Sequence, residues 1–175
     1  MSMTPLSRDE LMLRLSYDPT TGDFQWLRHP VARHVGAKAG SENSRGYILI
    51  KINGRNYRAH RLAFLYMTGE WPPADVDHIN RLKTDNRFEN LRAATRPENV
   101  ANTSARANSS SGIKGVVFQA KSRGSKKWQA AIRSNGKRRS LGYFATAEQA
   151  GKAYQAAAGA LYGDFASRAI AEDRK

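Results

Sequence analysis

Four side chains between residues 77 and 99 are placed to carry chemistry: Asp77, His78, Asn90 and Asn99. Asn90 follows His78 by 12 positions, and Asn99 follows it by 21. An Asp carboxylate and an Asn carbonyl are hard oxygen ligands that suit Mg²⁺, an ion that keeps several waters of its own. A neutral imidazole beside such an ion can take a proton from water, because its ordinary pKa lies near neutrality. An Asn carbonyl can in turn hold the imidazole ring. The reaction such a cluster could perform is metal-assisted hydrolysis of a phosphodiester. Taken singly, each residue has an ordinary reading: an Asp-His pair as a strand end, a loop Asn as a turn former, a helical Asn as a surface residue. Their spacing and setting favour the chemical one.

The elements around them can be read directly. Asp77-His78 closes a short apolar segment. Thr95-Arg96-Pro97-Glu98 is a capping box with proline in the first turn, which predicts a helix starting there with Asn99 near its beginning. A strand end, a loop and a helix start can bring the four side chains together. Asp85 and Asn86 read as residues that shape the intervening loop. Upstream, Ser7 to Glu10 is a capping box opening a short helix, Phe24 and Trp26 alternate as in a strand, and residues 46–59 read as a hairpin turning at Asn53-Gly54. His60 to Met67 predicts a short buried helix, ended near Gly69. His60, with Leu62, Phe64 and Leu65 around it, reads as a core or hydrogen-bonded histidine. His29 and His34 lie in a polar loop.

Residues 101–112 are rich in Ser, Asn and Ala and read as a linker. Beyond them come three strand candidates, Val116 to Ala120, Trp128 to Ser134 and Arg139 to Phe144, with a turn at Asn135-Gly136. In the second strand Trp128, Ala130 and Ile132 share one face, and Gln129, Ala131 and Arg133 the other. Thr146 to Gln149 is another capping box, opening an Ala-rich helix that ends near Gly163. The expected class is therefore α+β. A β-rich region with the chemical core fills residues 1–100, the linker follows, a three-stranded antiparallel sheet packed on one helix spans 113–168, and 169–175 form a tail.

Composition narrows the partners. The chain of 175 residues carries 29 Lys and Arg against 15 Asp and Glu, net +14, with 40% hydrophobic residues and no cysteine. That excludes disulfides, thiolate zinc sites and a cysteine nucleophile. No apolar run reaches the length of a membrane span and no leader pattern is present, so an intracellular, cytoplasmic protein without a membrane role is expected. The pI near 10.4 points to a polyanion. Residues 101–145 hold ten basic and no acidic side chains, an electrostatic footprint for phosphates. Lys121, Arg123, Lys126 and Lys127 cluster at one turn, and Lys137, Arg138 and Arg139 at the next. Turn-borne cations suit phosphates, while Gln119, Gln129 and Arg133 on strands could reach base edges. Seven phosphate contacts predict a log–log salt slope of about −6.

Asp77-His78, Glu89-Asn90-Leu91 and Pro97-Glu98-Asn99 resemble the core of the HNH endonucleases, the ββα-metal motif, and most closely the cysteine-free homing-endonuclease branch common in phages. Tyr57-Arg58-Ala59-His60-Arg61-Leu62 resembles the segment that precedes that core. The resemblance implies that Asp77 and Asn99 bind the metal, that His78 is the general base and that Asn90 orients it. It implies Mg²⁺ or Mn²⁺ rather than tightly held zinc, double-stranded DNA as substrate, and 3′-hydroxyl and 5′-phosphate products. Asn102 and Thr103 could add a ligand. Residues 16–52 resemble, more loosely, the segment that precedes the core in these phage proteins.

Lys114-Gly115-Val116, Lys127 to Arg133, Leu141-Gly142-Tyr143-Phe144, Thr146 to Ala150 and Leu161 to Ala166 resemble the APETALA-two/ethylene-response-factor type of DNA-binding domain. This implies a sheet that enters the major groove, with Lys114, Arg133 and Arg138 at matching basic positions. Ser140, Val117 and Gln119 depart from the plant pattern, so plant sequence preference does not carry over. The expected function is a homing-type endonuclease that needs no small-molecule cofactor, as a monomer or a homodimer. The alternatives are a non-catalytic DNA-binding regulator, a packaging protein binding by charge alone, and an RNA-directed nuclease.

Overall fold

The computed structural model describes residues 6–122, 124–134 and 136–166. Helices and small antiparallel sheets are both present, and the chain divides into two units, residues 1–95 and 96–175. That division falls before the helix carrying Asn99, earlier than the 101–112 linker marks it.

In the first unit, Ser7 Oγ accepts from Glu10 N at 3.1 Å and starts helix α1 (Arg8–Arg14). Strands β1 (Leu15–Tyr17) and β2 (Phe24–Trp26) pair antiparallel. Leu15, which continues the helical leucine spacing, is instead the first residue of β1. A short β3 (Ser41–Glu42) precedes the hairpin of β4 (Ile48–Ile52) and β5 (Arg55–Arg58). Its turn residues Asn53 and Gly54 have φ of 50° and 80°, the left-handed pair an Asn-Gly turn needs. Helix α2 (Ala59–Thr68) follows at once and ends at Gly69 in the left-handed region. Strands β6 (Asp75–His78) and β7 (Leu91–Ala94) pair antiparallel around a 12-residue excursion.

The core of this unit joins Leu11 and Leu15 from the first elements, Phe24 from β2, Ile50 and Ile52 from β4, and Leu62 and Leu65 from α2. Tyr17 stacks on Phe24 with centroids 4.6 Å apart. Burying each large apolar side chain contributes about 1.5–3 kcal/mol. The N-terminal elements are thus part of the core on which α2 rests.

The second unit opens with α3 (Arg96–Ala101). Its sheet runs in the order β10-β9-β8, with β8 (Val116–Phe118), β9 (Trp128–Ser134) and β10 (Lys137–Phe144) antiparallel throughout. Thr146 Oγ1 accepts from Gln149 N at 3.2 Å and caps α4 (Ala147–Tyr162). Val116, Ala130 and Ile132 turn inward beneath Ala150, Tyr154 and Ala158. Small side chains let helix and sheet approach closely. At Gly115, φ 76°, any added Cβ would run into the Tyr154 ring. Of the expected turn at 135–136, Asn135 lies outside the described residues. Among the described residues no helix is long and apolar enough to cross a membrane.

Candidate active site

Asp77 and His78 end β6, and both are buried, at 5% exposure each. Strand register sets Asp77 opposite Arg92 and His78 opposite Leu91. Asp77 Oδ2 accepts from Arg92 Nε at 3.0 Å and from Arg92 Nη2 at 2.8 Å. The buried carboxylate therefore has a protein cation beside it, a partner the sequence reading did not foresee.

The loop from 79 to 90 is built around two asparagines. Asn90 Oδ1 accepts from Asn80 N at 2.9 Å, while Asn90 Nδ2 donates to Asn80 Oδ1 at 2.9 Å and to the Asp85 carbonyl at 2.8 Å. Asn80 Nδ2 also donates to Asp85 Oδ2 at 2.7 Å. Arg87 completes the loop, bonding Asp85 through Nε at 2.9 Å and Nη2 at 2.8 Å. These bonds, the Arg87 side chain foremost, hold the Asp85 carboxyl down at about 2.

Asn86 meets the His78 ring, its Oδ1 3.2 Å from Nε2. Asn86 Nδ2 donates to the Thr84 carbonyl at 3.2 Å, which turns Oδ1 toward the imidazole. Nε2 must then carry the hydrogen, and Nδ1 is the basic nitrogen of the neutral ring. The family resemblance implies the orienting role for Asn90. In the structure Asn90 closes the loop and Asn86 contacts the ring, because Asn90's amide is spent on Asn80 and Asp85. The sequence signal for Asn86 was its place in the loop, eight residues after His78.

Asn86 is itself held from behind. Tyr17 Oη donates to its carbonyl at 2.7 Å, and Phe88 N donates to the Pro19 carbonyl at 3.0 Å. Gly22, φ 78°, comes so close that an added Cβ would collide with the backbone of Asn86 and Arg87. The β1–β2 turn is thus a buttress for the loop that holds His78.

Burial lowers the pKa of His78, opposed by the Asn86 hydrogen bond and by Asp77 and Asp85, while Lys83 adds to the lowering. His60, on α2, stands edge-on to it with ring centroids 4.9 Å apart and lies 5.3 Å from the Tyr47 ring. Burial, then His78 and Arg58, push His60 down to about 3, so it is neutral at pH 7. His60 is a core histidine, as its neighbours suggest, and among the described residues its buried Nδ1 has no hydrogen-bond partner.

Asn99 lies on α3 in the second unit, part-buried, and Asn102 there is 5% exposed. The first unit therefore assembles Asp77, His78 and Asn90, and Asn99 belongs to the other. Asp77 brings only oxygen donors, and an Asn side chain would offer its carbonyl oxygen. That chemistry fits a hard divalent cation, with Arg92 as the charge such an ion would join or replace. Among the described residues no group of three or more His, Cys, Asp or Glu side chains is placed to hold a metal.

The sheet of the second unit sorts its basic residues. Lys121, Lys126, Arg133, Lys137, Arg138 and Arg139 are exposed. Lys114 is not a surface cation: its Nζ donates to the carbonyls of Val100, Ala101 and Thr103 at 2.6, 2.7 and 2.8 Å, closing the end of α3. Lys127 Nζ likewise ties the loop, reaching the Ala120 carbonyl at 3.3 Å and the Ser122 carbonyl. Gln129 is 8% exposed. Its Oε1 accepts from Gln119 Nε2 and Arg138 Nη2, both at 3.2 Å, and its Nε2 donates to Ser140 Oγ at 3.2 Å. It ties β9 to β10 and to Gln119, which follows the end of β8 and is not on a strand, and it presents Gln119 and Arg138. Arg123 lies outside the described residues.

Residues 57–101 match the HNH endonuclease family. This segment runs from the end of β5 through α2, β6, the asparagine-built loop, β7 and α3, and the match supports a DNA endonuclease. A solved structure described as "DNA binding and cleavage by the HNH homing endonuclease I-HmuI" is similar at 24% identity and a TM-score of 0.40, over 51% of this chain and 51% of that one. The chain thus spans about half the length of that protein. No curated protein matches it.

Proposed function

We propose that this protein is an endonuclease of the homing type that hydrolyses phosphodiester bonds of double-stranded DNA. The observation that carries the reading is the His78–Asn86 contact of 3.2 Å within a segment matching the HNH endonucleases. It makes the Nδ1 lone pair of a neutral, buried imidazole the base. His78 Nδ1 takes a proton from the water whose oxygen attacks phosphorus. The P–O3′ bond breaks, its electron pair stays on O3′, and that oxygen is protonated from solvent. The products carry 3′-hydroxyl and 5′-phosphate ends. Asn86 fixes the ring, and the Asn80–Asn90 bonds fix the loop that brings Asn86. Asp77 and Asn99 are the proposed ligands of Mg²⁺ or Mn²⁺, by resemblance and donor type. When bound, the ion supplies charge compensation at the phosphate and the leaving oxygen.

The second unit is proposed to bind the duplex through its sheet. Lys121, Lys126, Lys137, Arg138 and Arg139 suit phosphates, and Gln119 and Arg133 suit base edges. Lys114, Lys127 and Gln129 support that surface from within.

A second reading, a DNA-binding regulator without catalysis, is favoured by one observation, the pairing of Asp77 with Arg92 at 2.8 Å. Incubating supercoiled DNAs of varied sequence with the protein and Mg²⁺, beside EDTA and His78→Ala controls, separates the two. Metal-dependent nicking or linearisation, lost in His78→Ala while binding persists, supports the nuclease. Tight binding without cleavage across DNAs and metals supports the regulator.

A further inference from the structure

The Tyr47 ring lies 6.3 Å from the His78 ring, and it gathers two cations. The Arg58 guanidinium is 4.7 Å from its centroid, and Lys83 Nζ is 4.8 Å from it. The two come from different places in the sequence, the β5–α2 junction and the loop after β6. Lys83 also donates to the Arg45 carbonyl at 2.9 Å, which anchors its ammonium. Among the described residues neither Arg58 nor Lys83 has a carboxylate partner, and the Arg58 guanidinium has no hydrogen-bond acceptor.

This is an unfavourable arrangement for the protein alone. A cation on an aromatic face is attracted by the ring, but two like charges around one ring repel each other. Arg58 is also the N-cap residue of α2, where the helix dipole favours an anion. That ten-residue helix has no side-chain cap and no acidic residue in its first turn. Positive potential thus accumulates on the side of His78 where Tyr47 stands.

We propose that Arg58 and Lys83, spread on Tyr47, form a seat for a backbone phosphate of the strand being cut, next to the scissile one. The proposal rests on the nuclease reading and adds residues to it. Arg58 can offer paired N–H donors to phosphate oxygens, and Lys83 a point charge. Tyr47 supplies a fixed platform for both. The seat binds and registers the substrate, while His78 performs the proton transfer.

The test measures binding of a cleavable duplex in Ca²⁺, against salt, and steady-state cleavage in Mg²⁺. The proteins are wild type, Arg58→Gln, Lys83→Gln, the double variant, and Lys152→Gln as a charge control on α4. Loss of the one phosphate contact should reduce the salt slope of the double variant by about 0.9. Its KM should rise about tenfold or more at fixed salt while kcat changes little, and Lys152→Gln should match wild type. Tyr47→Leu should raise KM as the cation variants do, and Tyr47→Phe should not. Thermal unfolding of each variant checks its fold. A wild-type salt slope and KM in the folded double variant, with wild type binding and cutting, overturns the seat alone. A wild-type protein that binds no duplex overturns the nuclease reading and the seat with it.

Discussion

Asn86 Oδ1 accepts from His78 Nε2 at 3.2 Å, and the Tyr17 hydroxyl donates to the Asn86 carbonyl at 2.7 Å. A side chain from the first strand therefore reaches the imidazole through one intermediate residue. Replacing Asn86 with Ala keeps the backbone carbonyl for Tyr17 and removes the ring contact together with the bond to the Thr84 carbonyl. We expect kcat to fall about 10–100-fold with KM nearly unchanged, the usual scale for loss of an orienting group. Asn90→Ala should instead lower the unfolding temperature, because it strips three loop hydrogen bonds. Kinetics and thermal melts of the two variants separate these roles.

The Asp77–Arg92 pair makes a prediction about metal that does not depend on turnover. Both side chains are largely buried, at 6% and 18% exposure. Arg92→Ala leaves a buried carboxylate without that cation, a loss of about 3–5 kcal/mol in comparable settings. Added Mg²⁺ or Mn²⁺ should restore more stability to Arg92→Ala than to wild type, and EDTA should remove the gain. Equal metal stabilisation of both proteins in calorimetry would count against Asp77 as a ligand.

His60 links stability to pH with a definite sign. Its pKa is about 3 in the folded protein and near 6.5 when unfolded, so the unfolded chain binds the extra proton between those values. Its contribution is present in full above pH 6.5 and is lost as the pH falls toward 3. The unfolding temperature should drop through that window, and His60→Phe, which keeps a ring but cannot titrate, should flatten the dependence.

Lys114 and the turn cations should behave differently. Lys114→Ala removes the ammonium that closes α3 and should lower stability while leaving the salt slope of DNA binding unchanged. Lys137→Ala with Arg139→Ala should leave stability alone and reduce the slope by about 2. Binding titrations across salt, set beside melts, measure both.

Much of the fold was legible because its signals are local. Ser7 and Thr146 cap helices through their own side chains, Asn53-Gly54 turns a hairpin by its left-handed φ, and the alternation from Trp128 to Ile132 marks the face that α4 covers. The Asp77-His78 pair and the spacing to Asn90 and Asn99 likewise identified the HNH segment, because that motif is compact in sequence. Partner choice was not legible. Loop closure decided that Asn90 meets Asn80 and Asp85 and leaves the ring to Asn86. Strand register decided that Arg92 faces Asp77, and helix docking set His60 against His78. Lys114 and Lys127 read as surface cations, since charge in a sequence says nothing about which carbonyls will lie within reach. Residue type and spacing determine which chemistry is available, and only packing assigns each donor its acceptor.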